Sequence, residues 1–160
     1  MPDWSCSPRG ASSLNSARGG VAVPRQDQHY VTDLCDAVLD IPASREHRFP
    51  WLLGDVSPKT GRQVQLPVDA YWESLGLVME FQEEQHSQSV KLFDKPDVLT
   101  VSGIHRGEQR RLYDERKAQL IPLNGLRLVV IHIDQFTVRR KHIVPDWEHD
   151  LDVVRRSLPG

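Results

Sequence analysis

Two carboxylates stand where a β-strand usually places apolar side chains. In "LPVDAYWESLGLVMEFQEEQH", residues 66–86, Asp69 interrupts one apolar run and Glu80 lies near the end of the next. A hairpin centred between Ser74 and Leu75 sets Trp72 opposite Leu77, Ala70 opposite Met79 and Asp69 opposite Glu80. Directly opposed Cβ atoms lie about 4.5–5.5 Å apart, where like charges repel unless a cation comes between them. Mg²⁺ suits that place, since it takes one or two carboxylates and completes its octahedron with water or phosphate. Strand alternation then carries Gln82, Glu84 and His86 to the side of Glu80. The plain alternative is a solvated strand end, because a one-residue slip in register turns Asp69 to the opposite face.

Such a pair needs a sheet and helices to hold it. The runs at 64–72, 76–82 and 126–133 read as strands, and the nearly continuous "GLVM" and "LRLVVI" suit strands buried on both faces. Val31, Leu34, Cys35, Val38 and Leu39 recur at helical spacing, and Pro42 bounds that helix. "REHRFPWLLGDVSPKTGRQ" reads as a connector anchored by Phe49 and Trp51, with a turn at "SPKTG". "SQSVKLFDKPDVLTVSGIH" has no clean period and reads as a loop. "GEQRRLYDERKAQLIPLNG" is a helix with Leu112, Tyr113, Leu120 and Ile121 on one side, Pro122 distorting its last turn and "NG" as its stop. A final amphipathic helix uses Trp147, Leu151, Val154 and Leu158. Trp51, Tyr71 and Trp72 are expected to be packing aromatics.

The chain has 160 residues, 39% hydrophobic and 26% charged, with a formal net charge of −2, which suits one globular domain. Residues 1–28 are rich in Ser, Gly, Pro and Arg and read as a flexible leader ahead of a single domain at 29–158. No apolar run is long enough to span a bilayer and the N-terminus lacks a signal-type apolar core, so a cytoplasmic protein without membrane attachment is expected. Cys6 and Cys35 give neither a disulfide framework nor a metal-ligand pattern, and Cys35 reads as a buried apolar residue. Overall charge decides nothing about nucleic acid, and the sequence leaves monomer and homodimer open.

"VDAYWESLGLVMEFQEEQH" followed by "YDERKAQLIPLNGLRLVVI" resembles the very-short-patch-repair endonuclease branch of the PD-(D/E)xK restriction-endonuclease-like superfamily and its relatives. The resemblance covers about residues 66–131 and rests on the order Asp69, Glu80, Gln82, His86, then Asp114 with Arg116 or Lys117, then Gly125. It implies an α/β fold with a restriction-endonuclease-like core, a mixed central β-sheet flanked by α-helices. Pro96 and Asp97 come after the Glu80 strand, the wrong order for the superfamily's metal-binding Asp. Gln82 stands where the superfamily usually has Lys, and Glu83 and Glu84 replace its Gly-rich turn.

The activity implied is divalent-metal-dependent hydrolysis of DNA phosphodiester bonds. Asp69, Glu80 and the backbone carbonyl of Phe81 would hold Mg²⁺ or Mn²⁺, Gln82 would orient the attacking water, and His86 would serve the phosphate or a proton transfer. Arg106, Arg110, Arg111, Arg116, Arg139, Arg140 and Lys141 are the candidate DNA-binding cations. The bland alternative for the helix is a solvated face balanced by Glu108, Asp114 and Glu115, with Asp114 paired to Arg116 or Lys117. Glu46 is a candidate for the additional acidic residue that related folds supply from their first helix. Against the enzyme stands a catalytically inactive scaffold of the same fold that binds nucleic acid or a protein partner, favoured by Gln82 and the "EE". A metal-independent regulatory or toxin-related module using the "RR" segments is a third reading.

Overall fold

The computed structural model describes residues 27–83 and 106–159, Arg106 by its backbone only. His86, Glu84 and most of the expected leader lie outside the described residues, as does the segment expected to be a loop. The order is α1 (Asp27–Leu39), β1 (Ser44–Leu53), β2 (Gln65–Trp72), β3 (Leu77–Gln82), α2 (Arg106–Leu123), β4 (Arg127–His132), β5 (Val138–Arg139), β6 (His142–Ile143) and α3 (Trp147–Ser157). β1 to β4 form a four-stranded sheet in sequence order. β1 and β2 are antiparallel, as are β2 and β3, whereas β3 and β4 are parallel, so the sheet is mixed. The chain is thus an α/β protein.

The hairpin between β2 and β3 has the register that its sequence predicts, with Trp72 opposite Leu77 and Ala70 opposite Met79. A 3-10 turn at Glu73–Leu75 and Gly76, at φ +54, connect the two strands. β3 is buried on both faces. Leu77, Met79 and Phe81 join the core built with Tyr30, Val31 and Leu34 of α1 and Val153 and Val154 of α3. Val78 points the other way, into a second core with Phe49, Leu52 and Ile121 of α2. Period-2 alternation therefore puts Glu80 and Gln82 on the α2 side. Tyr71, opposite Val78, belongs to that side as well, and Asp69 with it.

α2 ends in a Schellman motif. Leu126 N–H donates to Ile121 C=O and Gly125 N–H to Pro122 C=O, with Gly125 at φ +75. Leu126 packs against the core that contains Ile121, the apolar contact that accompanies this motif. Pro122 lies inside that terminal turn, where it offers no N–H to Ala118 C=O.

Three sequence expectations change. The connector containing "REHRFPWLL" is an edge strand, β1, whose period is hidden by Glu46 at φ +50 and by an irregular register between Arg48 and Leu53. Pro50 falls in that irregular stretch, where an edge strand can do without its N–H. Asp27 and Gln28, at the end of the expected leader, are already helical. Trp147, expected on the packing face of the last helix, is 45% exposed and meets Tyr30 edge-on, while Val153 takes the buried place. Cys35 is buried as expected, and burial pushes its thiol up to about 12.

Candidate functional site

One step beyond the last paired residues of the hairpin, Asp69 stands opposite Glu80. The backbone N–H of Phe81 donates to Asp69 Oδ2 at 2.7 Å, which ties the Asp69 side chain to the β3 side of its own strand. Both carboxylates line one cavity of about 230 Å³, together with Gln28, Gln82, Arg110, Asp114 and Lys117. The site is therefore assembled from β2, β3, α2 and the first turn of α1.

Lys117, expected only as an alternative to Arg116 beside Asp114, turns instead to Glu80. Its Nζ lies 2.8 Å from Glu80 Oε2, and the two side chains are only 13% and 12% exposed. The helix carries a signal for it: Tyr113, Lys117, Leu120 and Ile121 share one face at helical spacing, so Lys117 points where an apolar residue belongs. Arg116, the neighbouring candidate, faces elsewhere. Its guanidinium donates to Leu53 C=O and to Asp55 Oδ1, both at 2.9 Å, and lies over the Tyr113 ring. The expected pairing of Asp114 with Arg116 or Lys117 thus gives way to Asp55–Arg116 and Glu80–Lys117.

Burial sets the electrostatics. Desolvation raises the Asp69 carboxyl, while the Phe81 N–H and the charge of Lys117 pull it back and Glu46 pushes it further up. Desolvation also pushes Glu80 up to about 7; Lys117 opposes it, and the charges of Asp69 and Asp114 add to it. Glu80 Oε1 is buried and has no hydrogen-bond partner among the described residues. A lone pair of that kind is costly unless a donor or cation meets it.

The donor set fits a hard divalent cation of the Mg²⁺ type: two carboxylates from adjacent strands, one of them with an orphaned buried oxygen, beside a cavity with room for water or phosphate. It is a sparse set. No group of three His, Cys, Asp or Glu residues among the described residues is arranged to hold a metal ion. Glu46 is on β1 rather than on the first helix; its flanking pairs, Arg45–Ala70 and His47–Val68, set it opposite Asp69 on the other side of β2.

Of the candidate DNA-binding cations, Arg110 lines the cavity. Arg111 is exposed and pairs with Glu115 one turn on. Arg139, Arg140 and Lys141 are exposed on the β5–β6 hairpin, whose turn residues Arg140 and Lys141 sit at φ +53 and +70. That hairpin is tied to the first residue of α1, for Asp27 accepts from Ile143 N–H and contacts His142 Nδ1. Gln28, the next residue, lines the cavity. The side chain of Arg106 lies outside the described residues. No helix among the described residues is long and apolar enough to cross a membrane.

No family model, curated protein or solved structure matches this chain.

Proposed function

We propose that the chain is a divalent-metal-dependent DNA endonuclease with a restriction-endonuclease-like core of the PD-(D/E)xK type. The observation that carries this reading is the convergence of Asp69 and Glu80 on one cavity, with Glu80 Oε1 buried and unpartnered among the described residues. Asp69 and Glu80 would hold Mg²⁺ or Mn²⁺, with the Phe81 carbonyl as a further ligand. A bound ion supplies Lewis-acid polarisation of the scissile phosphate and a water of lowered pKa. Gln82 lines the same cavity and, being a neutral amide, orients by hydrogen bonding alone. Lys117 brings from α2 the positive charge that the superfamily usually carries at the position of Gln82. Arg110 stands at the cavity to receive a phosphate, and the Arg139–Lys141 turn offers cations to the backbone farther along the duplex. DNA as partner and a cytoplasmic setting belong to this same proposal.

The scaffold reading draws on one contact. Lys117 already satisfies Glu80 Oε2, so a pair of this kind can hold α2 on the sheet without any metal. Calorimetric titration with Mn²⁺, run beside incubation with single-stranded, duplex, mismatched and branched DNA, separates the two. A nuclease binds the ion in wild type, loses it in Asp69→Ala and Glu80→Ala, and loses turnover in each without additive effect. Gln82→Lys preserves or raises that turnover. Intact substrates throughout, with no carboxylate-dependent binding, leave the scaffold.

A further inference from the structure

Asp69 is held from outside the sheet as well as within it. Gln28 Nε2, in the first turn of α1, donates to Asp69 Oδ1 at 3.0 Å and to Glu46 Oε1 at 2.9 Å. One NH₂ group has two hydrogens, and here each goes to a different carboxylate. Those carboxylates are cross-strand neighbours by register, so the amide joins two like charges that would otherwise push apart. Glu46 adopts φ +50, a conformation that residues with a Cβ seldom take.

With Oδ2 fixed by the Phe81 N–H and Oδ1 by Gln28, the plane of the Asp69 carboxylate is set at both oxygens. Each oxygen accepts one bond and keeps a second lone pair. We propose that Gln28 is a positioning residue for Asp69: bridged to Glu46, its amide fixes the Asp69 carboxylate plane so that a lone pair of Oδ1 stays directed into the cavity shared with Glu80. This rests on the reading of Asp69 and Glu80 as cation ligands. Partners that orient a metal ligand contribute to affinity without touching the metal, and their loss typically weakens binding by about 10- to 100-fold.

A residue that merely anchors α1 to the sheet would lower the unfolding temperature and leave the folded protein's affinity alone. The test is Mn²⁺ calorimetry on the full chain, below the measured unfolding transition, for wild type, Asp69→Ala, Gln28→Ala, Glu46→Ala and the Gln28→Ala/Glu46→Ala pair. Gln28→Ala is expected to bind Mn²⁺ about 10- to 100-fold more weakly. Its kcat recovers at saturating Mn²⁺, because both ligands remain, whereas Asp69→Ala recovers nothing. The double variant is expected to bind no more weakly than Gln28→Ala, since both changes break one bridge. Binding by Gln28→Ala as tight as wild type, while Asp69→Ala binds nothing, overturns the positioning role and leaves the nuclease reading standing. Losses that multiply in the double variant overturn the bridge. Absence of any Asp69-dependent binding in wild type removes both.

Discussion

Lys117 Nζ on α2 lies 2.8 Å from Glu80 Oε2 on β3, inside the molecule, while the other oxygen of Glu80 has no hydrogen-bond partner among the described residues. One carboxylate thus has a cation on one side and a vacant lone pair on the other. The Lys117 charge is the main influence holding the Glu80 carboxyl down against burial, which still leaves it at about 7. Around neutrality the protonation of Glu80 therefore depends on burial, which raises it, and on this contact, which opposes the rise.

Replacing Lys117 by Met removes the cation and keeps most of the volume. The Glu80 carboxyl then rises further, and the proton must leave before a divalent cation can enter. The expected outcome is a shift of the pH dependence of Mn²⁺ affinity toward alkaline pH, read by titration from pH 6 to 9. If Lys117 also stabilises charge at the phosphate, turnover at saturating metal falls on the order of a hundredfold or more. A pH profile that does not move would show that Lys117 has no hold on Glu80.

The same shift has a consequence for stability. Glu80 ionises near 4.5 in the unfolded chain and at about 7 in the folded one, so the native state holds its proton more tightly. Its contribution is fully present below about pH 4.5 and is lost as pH rises through about 7. Asp55 works in the opposite sense: the hydrogen bond from Arg116 lowers its carboxyl, and its contribution is lost as pH falls. Glu80→Gln alone would strand Lys117, so the informative variant is Glu80→Gln with Lys117→Met. Urea unfolding at pH 5 and pH 8 is expected to show the double variant gaining stability relative to wild type at the higher pH. A difference independent of pH would remove the assigned shift.

The hairpin was legible in the sequence because its two runs alternate cleanly toward a short turn, and one register alone buries Trp72, Ala70, Leu77 and Met79 together. β1 was not, because Glu46 at positive φ, Pro50 and the irregular pairing after Arg48 erase the period of two. The site was half legible. Asp69 and Glu80 announce themselves as acids within apolar strands, whereas Gln28 is an ordinary polar residue at a helix start and acquires meaning only when α1 docks. Lys117 was visible in "YDERK" only as an alternative to Arg116, and a helical count is what singles it out on the packing face.

Gly125 tests how α2 is fixed in place. It sits at φ +75 in the Schellman motif, and a Cβ added there would meet no atom within 4 Å, so the cost of a side chain is purely conformational. Gly125→Ala is expected to destabilise by about 1–2 kcal/mol. Gly125→Asn should lose less, since Asn tolerates the left-handed region better. The two midpoints in denaturant unfolding check the order, and an Ala variant as stable as wild type would contradict the assigned cap.

The candidate DNA-binding cations divide by what they touch. Arg116 donates to Leu53 C=O and Asp55, and its hydrogen bond is the largest influence lowering the Asp55 carboxyl, so removing the guanidinium takes away that carboxylate's main partner. Arg116→Met is therefore expected to lower stability by about 1–3 kcal/mol and to leave the salt dependence of DNA binding unchanged. Arg139, Arg140 and Lys141 are exposed on a hairpin turn, so their replacement by Gln is expected to leave stability near wild type. For each of these that neutralises a phosphate, the slope of log affinity against log salt should shrink by about 0.9. Fluorescence anisotropy of a labelled duplex over a salt series, run beside urea unfolding, measures both quantities. If the hairpin substitutions leave the slope untouched while Arg116→Met reduces it, the phosphate-binding role passes from the β5–β6 cations to Arg116.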